Sequence, residues 1–360
     1  MNILHCESSP GWGGQEIRIL KESIGLVAKG HSVFMAVAKD GGLVQKARGS
    51  GFIVYEINYK KAFWIISFFR LIKIILTNKI DIVNTHSSDD AWLCGLVCRL
   101  LGRKVVRTRH LSTKVRGGLN SILLYNKLTD YTVTTCKSII PMLYKQSKKD
   151  KRCFSSIPTG LQPESIKIDY EKKEEFLKKL DVKKEDTLVG VVCFMRSWKG
   201  IVDFLKAAQI LKNESNIKWV IIGGGHIQTY QKIANDLGLS KKVHFTNHLE
   251  RPYYAIDAID IFVLLSTDHE GVSQASLQAA YLQKPLITTD IGGLPEVCIN
   301  NKTGILVPSF SPKRVADGIL KLRNNPDLAK EFGKNAKQLV LEQFTFDKMI
   351  TDMEKIYSSI

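Results

Sequence analysis

Along the first part of the chain, short apolar runs alternate with stretches where apolar residues recur every three or four positions. MNILHCE (1–7) reads as a strand, Gly11, Gly13 and Gly14 as the turn after it, and 16–29 as a helix closed by Gly30. HSVFMAVA, DIVNTH, KVVRTRH and YTVTTC follow as strands, with a helix over 92–101 among them. SSIPTGLQPE, with two prolines and a glycine, reads as a linker, and the charged piece 169–186 as a solvated helix and turn. A second alternation then begins: LVGVVCF, a helix over 201–211, WVIIGGG, another helix, KVHFTNH and IDIFVLL. Strands separated by helices need crossover connections, which argues for parallel sheets. The expected fold is α/β, with two doubly wound, Rossmann-like parallel-sheet domains facing a cleft. They are expected at 1–165 and 187–345, with a linker at 166–186 and a terminal helix in 346–360. In such sheets, ligands sit outside the carboxyl ends of the strands.

One segment departs from this rhythm. In AFWIISFFRLIKIIL (62–76) only Ser67, Arg70 and Lys73, with Thr77 beyond, form a narrow polar stripe on an otherwise apolar helix. The preferred reading is a crossover helix buried against the sheet. The alternative is an interfacial helix dipping into anionic lipid, assisted by Lys60 and Lys61.

Composition narrows the function. The 360 residues, 44% hydrophobic, suffice for two cores. Net charge is +17, and its distribution is uneven: residues 1–160 hold 25 Lys and Arg against 10 Asp and Glu, residues 161–360 hold 27 against 25. An anionic partner is expected on the first half, such as phospholipid or a phosphorylated acceptor. Nucleic acid is not expected, because no basic run interleaves with stacking aromatics. Seven scattered cysteines without metal-type spacing read as thiols in a reducing compartment. MNILHCES lacks a basic leader and no apolar run is long enough to span a bilayer, so a cytoplasmic protein is expected, peripheral at the inner face of the plasma membrane if the basic half meets lipid.

The most informative stretch is 270–308, EGVSQASLQAAYLQKPLITTDIGGLPEVCINNKTGILVP. It reads as a loop, a helix capped by Ser273 and ended by Lys284-Pro285, a short buried strand, and a second glycine-bearing loop. A helix N-terminus behind a glycine turn offers backbone N–H groups and a positive dipole end to phosphate. The segment resembles the donor-site motif of the family 4 retaining glycosyltransferases, which have two Rossmann-like domains in the GT-B arrangement. Glu270 and Gly271 match its opening pair; where the family has a second Glu eight positions later, this chain has Gln278. The resemblance implies that Glu270 meets sugar hydroxyls, that Gly271, Val272 and Ser273 cradle phosphate, and that position 278 holds ribose. Gln hydrogen-bonds there without charge.

Other residues fall into place around that motif. Arg196 and Lys199, in FMRSWKG after the first strand of the second domain, offer fixed positive charge to a departing diphosphate. They resemble the family's Arg…Lys-Gly element. The chain has no Asp-x-Asp, and Asp268, His269 and Glu270 lack useful ligand spacing, so no metal and no cofactor are expected. Gly224 in the WVIIGGG turn and Asn247 in TNH correspond to points where the family approaches the nucleotide. His86 and His110 each end a strand of the first domain; in the family, histidines there meet the transferred sugar and the acceptor side, with Arg109 beside His110 positioned to steer a phosphate. Gly13 and Gly14 read either as a plain tight turn or, by resemblance, as a loop approaching donor phosphates. The resemblance also implies that the last helix crosses back onto the first domain.

The function expected is metal-independent transfer, with retention, from a nucleotide sugar to a glycan or lipid-linked acceptor in cell-surface polysaccharide or lipopolysaccharide synthesis. A sugar-nucleotide epimerase or a phosphorylase on the same architecture, and a catalytically weakened nucleotide-sugar-binding subunit, remain alternatives. A dehydrogenase is disfavoured because Glu16 stands where G-x-G-x-x-G needs glycine.

Overall fold

The computed structural model describes residues 1–110, 115 and 117–360. The chain divides into two compact units, Met1–Thr159 with Asp347–Ile360, and Gly160–Phe346. In unit 1, β1 (Asn2–Glu7), β2 (Ser32–Ala38), β3 (Ile53–Ile57), β4 (Ile82–Thr85), β5 (Lys104–Arg109), β6 (Tyr131–Thr134) and β7 (Phe154–Ser156) lie in the order β3-β2-β1-β4-β5-β6-β7. Every neighbouring pair is parallel. In unit 2, β8 (Thr187–Val192), β9 (Ile217–Ile222), β10 (Val243–Phe245), β11 (Ile261–Leu264), β12 (Leu286–Thr289) and β13 (Gly304–Val307) lie in the order β10-β9-β8-β11-β12-β13. These pairs are parallel too. Strand order reverses once in each sheet, between β1 and β4 and between β8 and β11. The connections leave those strand pairs on opposite faces, which opens a crevice at their carboxyl ends.

The apolar runs form these strands because both sheet faces are covered. On one face of unit 1, Leu4, Cys6, Ala36, Val83 and Val105 pack with Leu71, Ile74, Ile75, Leu93 and Val97 from two helices. On the other, Met35 and Val37 pack with Ile19, Leu43, Val44 and Ala47. The Phe346–Ser359 helix completes unit 1, burying Met349, Ile350, Met353, Ile356 and Tyr357. Tyr357 Oη donates to Glu22 at 2.9 Å and accepts from Asn84 Nδ2 at 2.7 Å. Glu22 in turn pairs with fully buried Arg18 at 3.5 Å. In unit 2, Trp219 of β9 meets Phe204 edge-on, centroids 5.2 Å apart. All seven cysteines are free thiols.

The structure departs from the sequence reading in three places. β3, β7 and β13, absent from the expected strands, are all outermost in their sheets. Each pairs on one side only and is short and partly exposed; β3 and β13 are mostly apolar runs of only five and four residues, and β7 runs into the stretch read as a linker. Residues 166–186 are not a linker: Tyr170–Lys179 is a helix of unit 2, and despite its charge it buries Phe176 and, just beyond, Leu180. Phe176 stacks edge-on to Tyr254, and Lys173 pairs with Asp257 at 2.8 Å. The segment 62–76 forms the helix Trp64–Thr77, buried on one face only. Ser67, expected in its polar stripe, is instead inside, donating to Asn58 O at 2.8 Å, while Ile65, Ile66 and Phe69 stand in solvent.

Candidate active site

Unit 2 builds its site on the two strands that flank its crevice. β8 runs into Cys193–Gly200, and β11 into the turn 265–272. Gly200 holds the two loops together: its φ is +67°, and a Cβ there would lie 1.9 Å from Leu265 O. Only glycine fits such an approach. Thr267 N also donates to Trp198 O at 2.8 Å. This closure brings Lys199 Nζ to 2.7 Å from Glu270 Oε2, with the lysine side chain 18% and the glutamate 8% exposed. Ser266 Oγ donates to the same oxygen at 2.6 Å. The glycines after β12 fix the turn from the other side. Gly293 N donates to Glu270 O at 3.1 Å, and a Cβ on Gly292 would stand 1.7 Å from that same carbonyl. Gly271, Val272 and Ser273 follow directly. Ser273 caps the Gln274–Tyr281 helix, accepting from Ser276 N at 3.4 Å.

Beside this turn lies a hollow of about 320 Å³, lined among others by Cys193, Phe194, Gly224, His248, Ala275 and Gln278. The three glycines after β9 have different duties. Gly223 and Gly225 have positive φ, and a Cβ on either would run into Cys193 O or Met195 O, whereas a Cβ on Gly224 would meet nothing closer than His248 Cβ at 3.7 Å. Its missing side chain leaves the hollow open. Burial pushes the Cys193 thiol up to about 12, which keeps it from acting as a thiolate nucleophile.

Two expected residues sit elsewhere. Arg196 is exposed, its guanidinium lying over the Phe194 and Trp198 rings at 5.1 and 5.2 Å, and it lines a separate hollow with His226 and Tyr230. Asn247 is exposed and absent from the 320 Å³ hollow; its neighbours His248 and Leu249 line it instead.

Unit 1 gathers polar groups at its own crevice. His5 Nδ1 lies 2.9 Å from His86 Nε2, and His86 Nδ1 lies 2.9 Å from His110 Nε2. Burial first, and neighbouring positive groups after it, hold His86 and His110 well below the ordinary imidazole range. Neutral rings each donate once and accept once, so the tautomer of one ring dictates that of the next. Arg109 Nη1 donates to Tyr125 Oη at 2.8 Å, and buried Arg107 covers the Tyr125 ring.

The glycine loop is tied down by a buried acid. Glu7 accepts from Ser9 N and Ser87 Oγ, each at 2.6 Å, and from Gln15 Nε2. Asp90 accepts from Ser8 Oγ, His86 N and Ser87 N. Gly13 is the N-cap of the Gly14–Ala28 helix at an extended φ of −157°, which any residue adopts, and nothing lies within 4 Å of a Cβ on Gly14. A tight turn therefore does not account for these glycines. His5, Glu7 and Ser266 escaped the sequence reading because they lie within or just beyond apolar strands, where the alternation of faces was the only available signal. Among the described residues, no group of three or more His, Cys, Asp or Glu is arranged to hold a metal ion.

Two family models match, Glycosyl transferases group 1 over residues 172–339 and Glycosyltransferase Family 4 over 12–160, so that between them they take in most of both units. The chain belongs to this glycosyltransferase family. An uncharacterised glycosyltransferase of Methanocaldococcus jannaschii is 28% identical over 244 residues, 65% of this chain and 59% of that protein. A capsular polysaccharide biosynthesis glycosyltransferase of Staphylococcus aureus is 25% identical over 310 residues, 81% of this chain and 80% of its own length. The crystal structure of Anabaena HepE in complex with UDP superposes with a TM-score of 0.88 at 15% identity, covering 100% of both chains. That likeness carries the fold: this glycosyltransferase has the GT-B architecture of two Rossmann-like domains.

Proposed function

We propose that this glycosyltransferase moves a sugar from a nucleoside diphosphate sugar to a glycan or lipid-linked acceptor, with retention and without a metal ion, in cell-surface polysaccharide synthesis. The observation that carries the reading is the Lys199–Glu270 pair beside the glycine-floored hollow. A base and ribose fit a hollow lined by Phe194, His248 and Gln278. The diphosphate then lies towards Gly271–Ser273 and Lys199. As the bond from the anomeric carbon to the diphosphate oxygen breaks, negative charge grows on the leaving oxygen. A lysine already in place stabilises it without reorganisation. Arg196, on its exposed loop, joins by leaving the two rings it covers. Glu270 exchanges its contact with Lys199 for the sugar hydroxyls. Attack by the acceptor on the face the diphosphate leaves retains the anomeric configuration. His86, His110 and Arg109 in unit 1 serve the acceptor side.

UDP is the favoured nucleotide, since it is what the Anabaena structure contains. The excess basic charge of unit 1 supports an acceptor presented at an anionic membrane surface, on the cytoplasmic side. The test is a panel of UDP-, GDP- and ADP-sugars assayed for transfer or donor hydrolysis, with and without a chelator. Turnover of one donor that survives chelation is expected. Loss of turnover on chelation overturns the metal-free part. Tight nucleotide binding without any turnover favours the binding-subunit reading, which rests on Gln278.

A further inference from the structure

The Trp64–Thr77 helix has two apolar faces, and only one is covered. Leu71, Ile74 and Ile75 face the core of unit 1. Opposite them, Ile65, Ile66, Phe69 and Leu76 are 76%, 69%, 65% and 51% exposed, and Phe63 just before the helix is 44% exposed. At 3.6 residues per turn, positions 65, 66, 69 and 76 share one arc with Arg70 and Lys73. Side chains of this size seldom cluster in water without a partner. The neighbouring Ser88–Leu101 helix, packed against this one, adds exposed Leu96 and Leu100. From Asn58 to Ile80 the segment carries Lys60, Lys61, Arg70, Lys73 and Lys79 and no acidic residue. All five of these cations are exposed.

We infer that this face is a lipid-docking surface, on which the helix lies in the plane of an anionic bilayer. Ile65, Ile66, Phe69 and Leu76 enter the boundary between headgroups and acyl chains. Lys60, Lys61 and Arg70 meet lipid phosphates, while Lys73 lays its stem along the apolar arc and reaches up to the headgroups. Charge selects the occupant. A second copy of the chain would set the same cations against themselves, and an apolar protein partner would leave them unanswered. The helix spans 14 residues, and none in the described chain is long and apolar enough to cross a membrane, so it lies on the bilayer without passing through it. This deepens the membrane part of the proposed function and is independent of donor chemistry in unit 2.

The test is co-sedimentation of the full chain with vesicles of mixed phosphatidylglycerol and phosphatidylcholine, against vesicles of phosphatidylcholine alone. Salt-sensitive binding to the mixed vesicles is expected, and binding at least about tenfold weaker for the Ile66→Asn, Phe69→Asn double variant. The single variant Ile65→Gln guards against misfolding of the double one. Both should keep close to the parent's melting temperature and its nucleotide affinity, since these side chains are mostly exposed on unit 1 and the nucleotide hollow is lined by residues of unit 2. Equal binding by parent and variants overturns the docking face while leaving a membrane role to other basic surfaces. No binding by the parent overturns the membrane reading itself. A dimer of the parent that the double variant disperses shows a self-interface, and also overturns the inference.

Discussion

Gly224→Ala is a clean probe of the donor site, because the protein itself makes no use of the missing side chain. A Cβ there meets His248 Cβ at 3.7 Å and the Phe194 ring at 3.9 Å, both ordinary contacts, and the residue's φ is not positive. Folding stability should therefore change by less than about 1 kcal/mol, with a small gain from the stiffer unfolded chain. The new methyl projects into the 320 Å³ hollow at its glycine floor. A nucleotide lying against that floor must shift or lose contact, weakening binding by roughly 1.4 kcal/mol or more, which is about tenfold. Gly292→Ala gives the opposite result. Its φ is +59°, and its Cβ would overlap the carbonyl oxygen of Glu270 at 1.7 Å. The Glu270 turn must move by more than about 1 Å, a displacement that can cost around a hundredfold in rate, and stability falls as well. Thermal melts and calorimetric titration with nucleoside diphosphates separate the two. If Gly224→Ala melts like the parent and binds nucleotide equally well, the hollow is not the donor site. If it fails to fold, the assignment of glycine roles is wrong.

Three further outcomes are expected. Lys199→Ala should lower turnover about a hundredfold, because no other cation reaches Glu270 within 4 Å among the described residues; a folded variant with unchanged turnover removes Lys199 from the mechanism. Gln278→Glu should tighten nucleotide binding if this side chain meets ribose, which calorimetry reads directly; an unchanged affinity argues against that placement. The third concerns pH. Burial, and then the Asp90 charge, push Glu7 up to about 7 from its usual 4.5, so the folded state holds this proton more tightly than the unfolded chain does. The stability linked to it is fully present below about pH 4.5 and is lost as pH rises through about 7, roughly 3 kcal/mol in all. Urea denaturation of the parent and of Glu7→Gln across that range should give curves that diverge as pH rises, and parallel curves would refute it.

Much of the architecture was legible because its central strands are solid apolar runs ending in glycine or polar turns. β1, β8, β9 and β11 announce themselves in MNILHCE, LVGVVCF, WVIIGGG and IDIFVLL. What escaped was set by tertiary context. The edge strand β7 spans only three residues, FSS, and carries no apolar run to mark it. In EKKEEFLKKL, buried Phe176 and Leu180 with half-buried Leu177 suffice to dock a segment whose other positions are charged. The site divides along the same line. Lys199 and Glu270 could be named from local motifs, but their 2.7 Å contact depends on Gly200 and Gly292, whose duties emerge only when two loops meet. The His5–His86–His110 chain joins three strands of one sheet, and no spacing along the sequence records it. Arg196 went to aromatic rings two residues to either side, a local attraction strong enough to hold it at the surface of unit 2.

The helix that finishes unit 1 is made after every residue of unit 2. On the ribosome, the nascent first sheet must wait through the synthesis of Gly160–Phe346 before Tyr357 arrives for Glu22 and Asn84. Until then, the groove destined for Met349, Ile350, Met353 and Ile356 stays greasy and uncovered. The intervening unit is continuous in sequence and can mature first, so the order of folding runs against the order of translation. A chain stalled shortly before Phe346 is thus the species most in need of a chaperone.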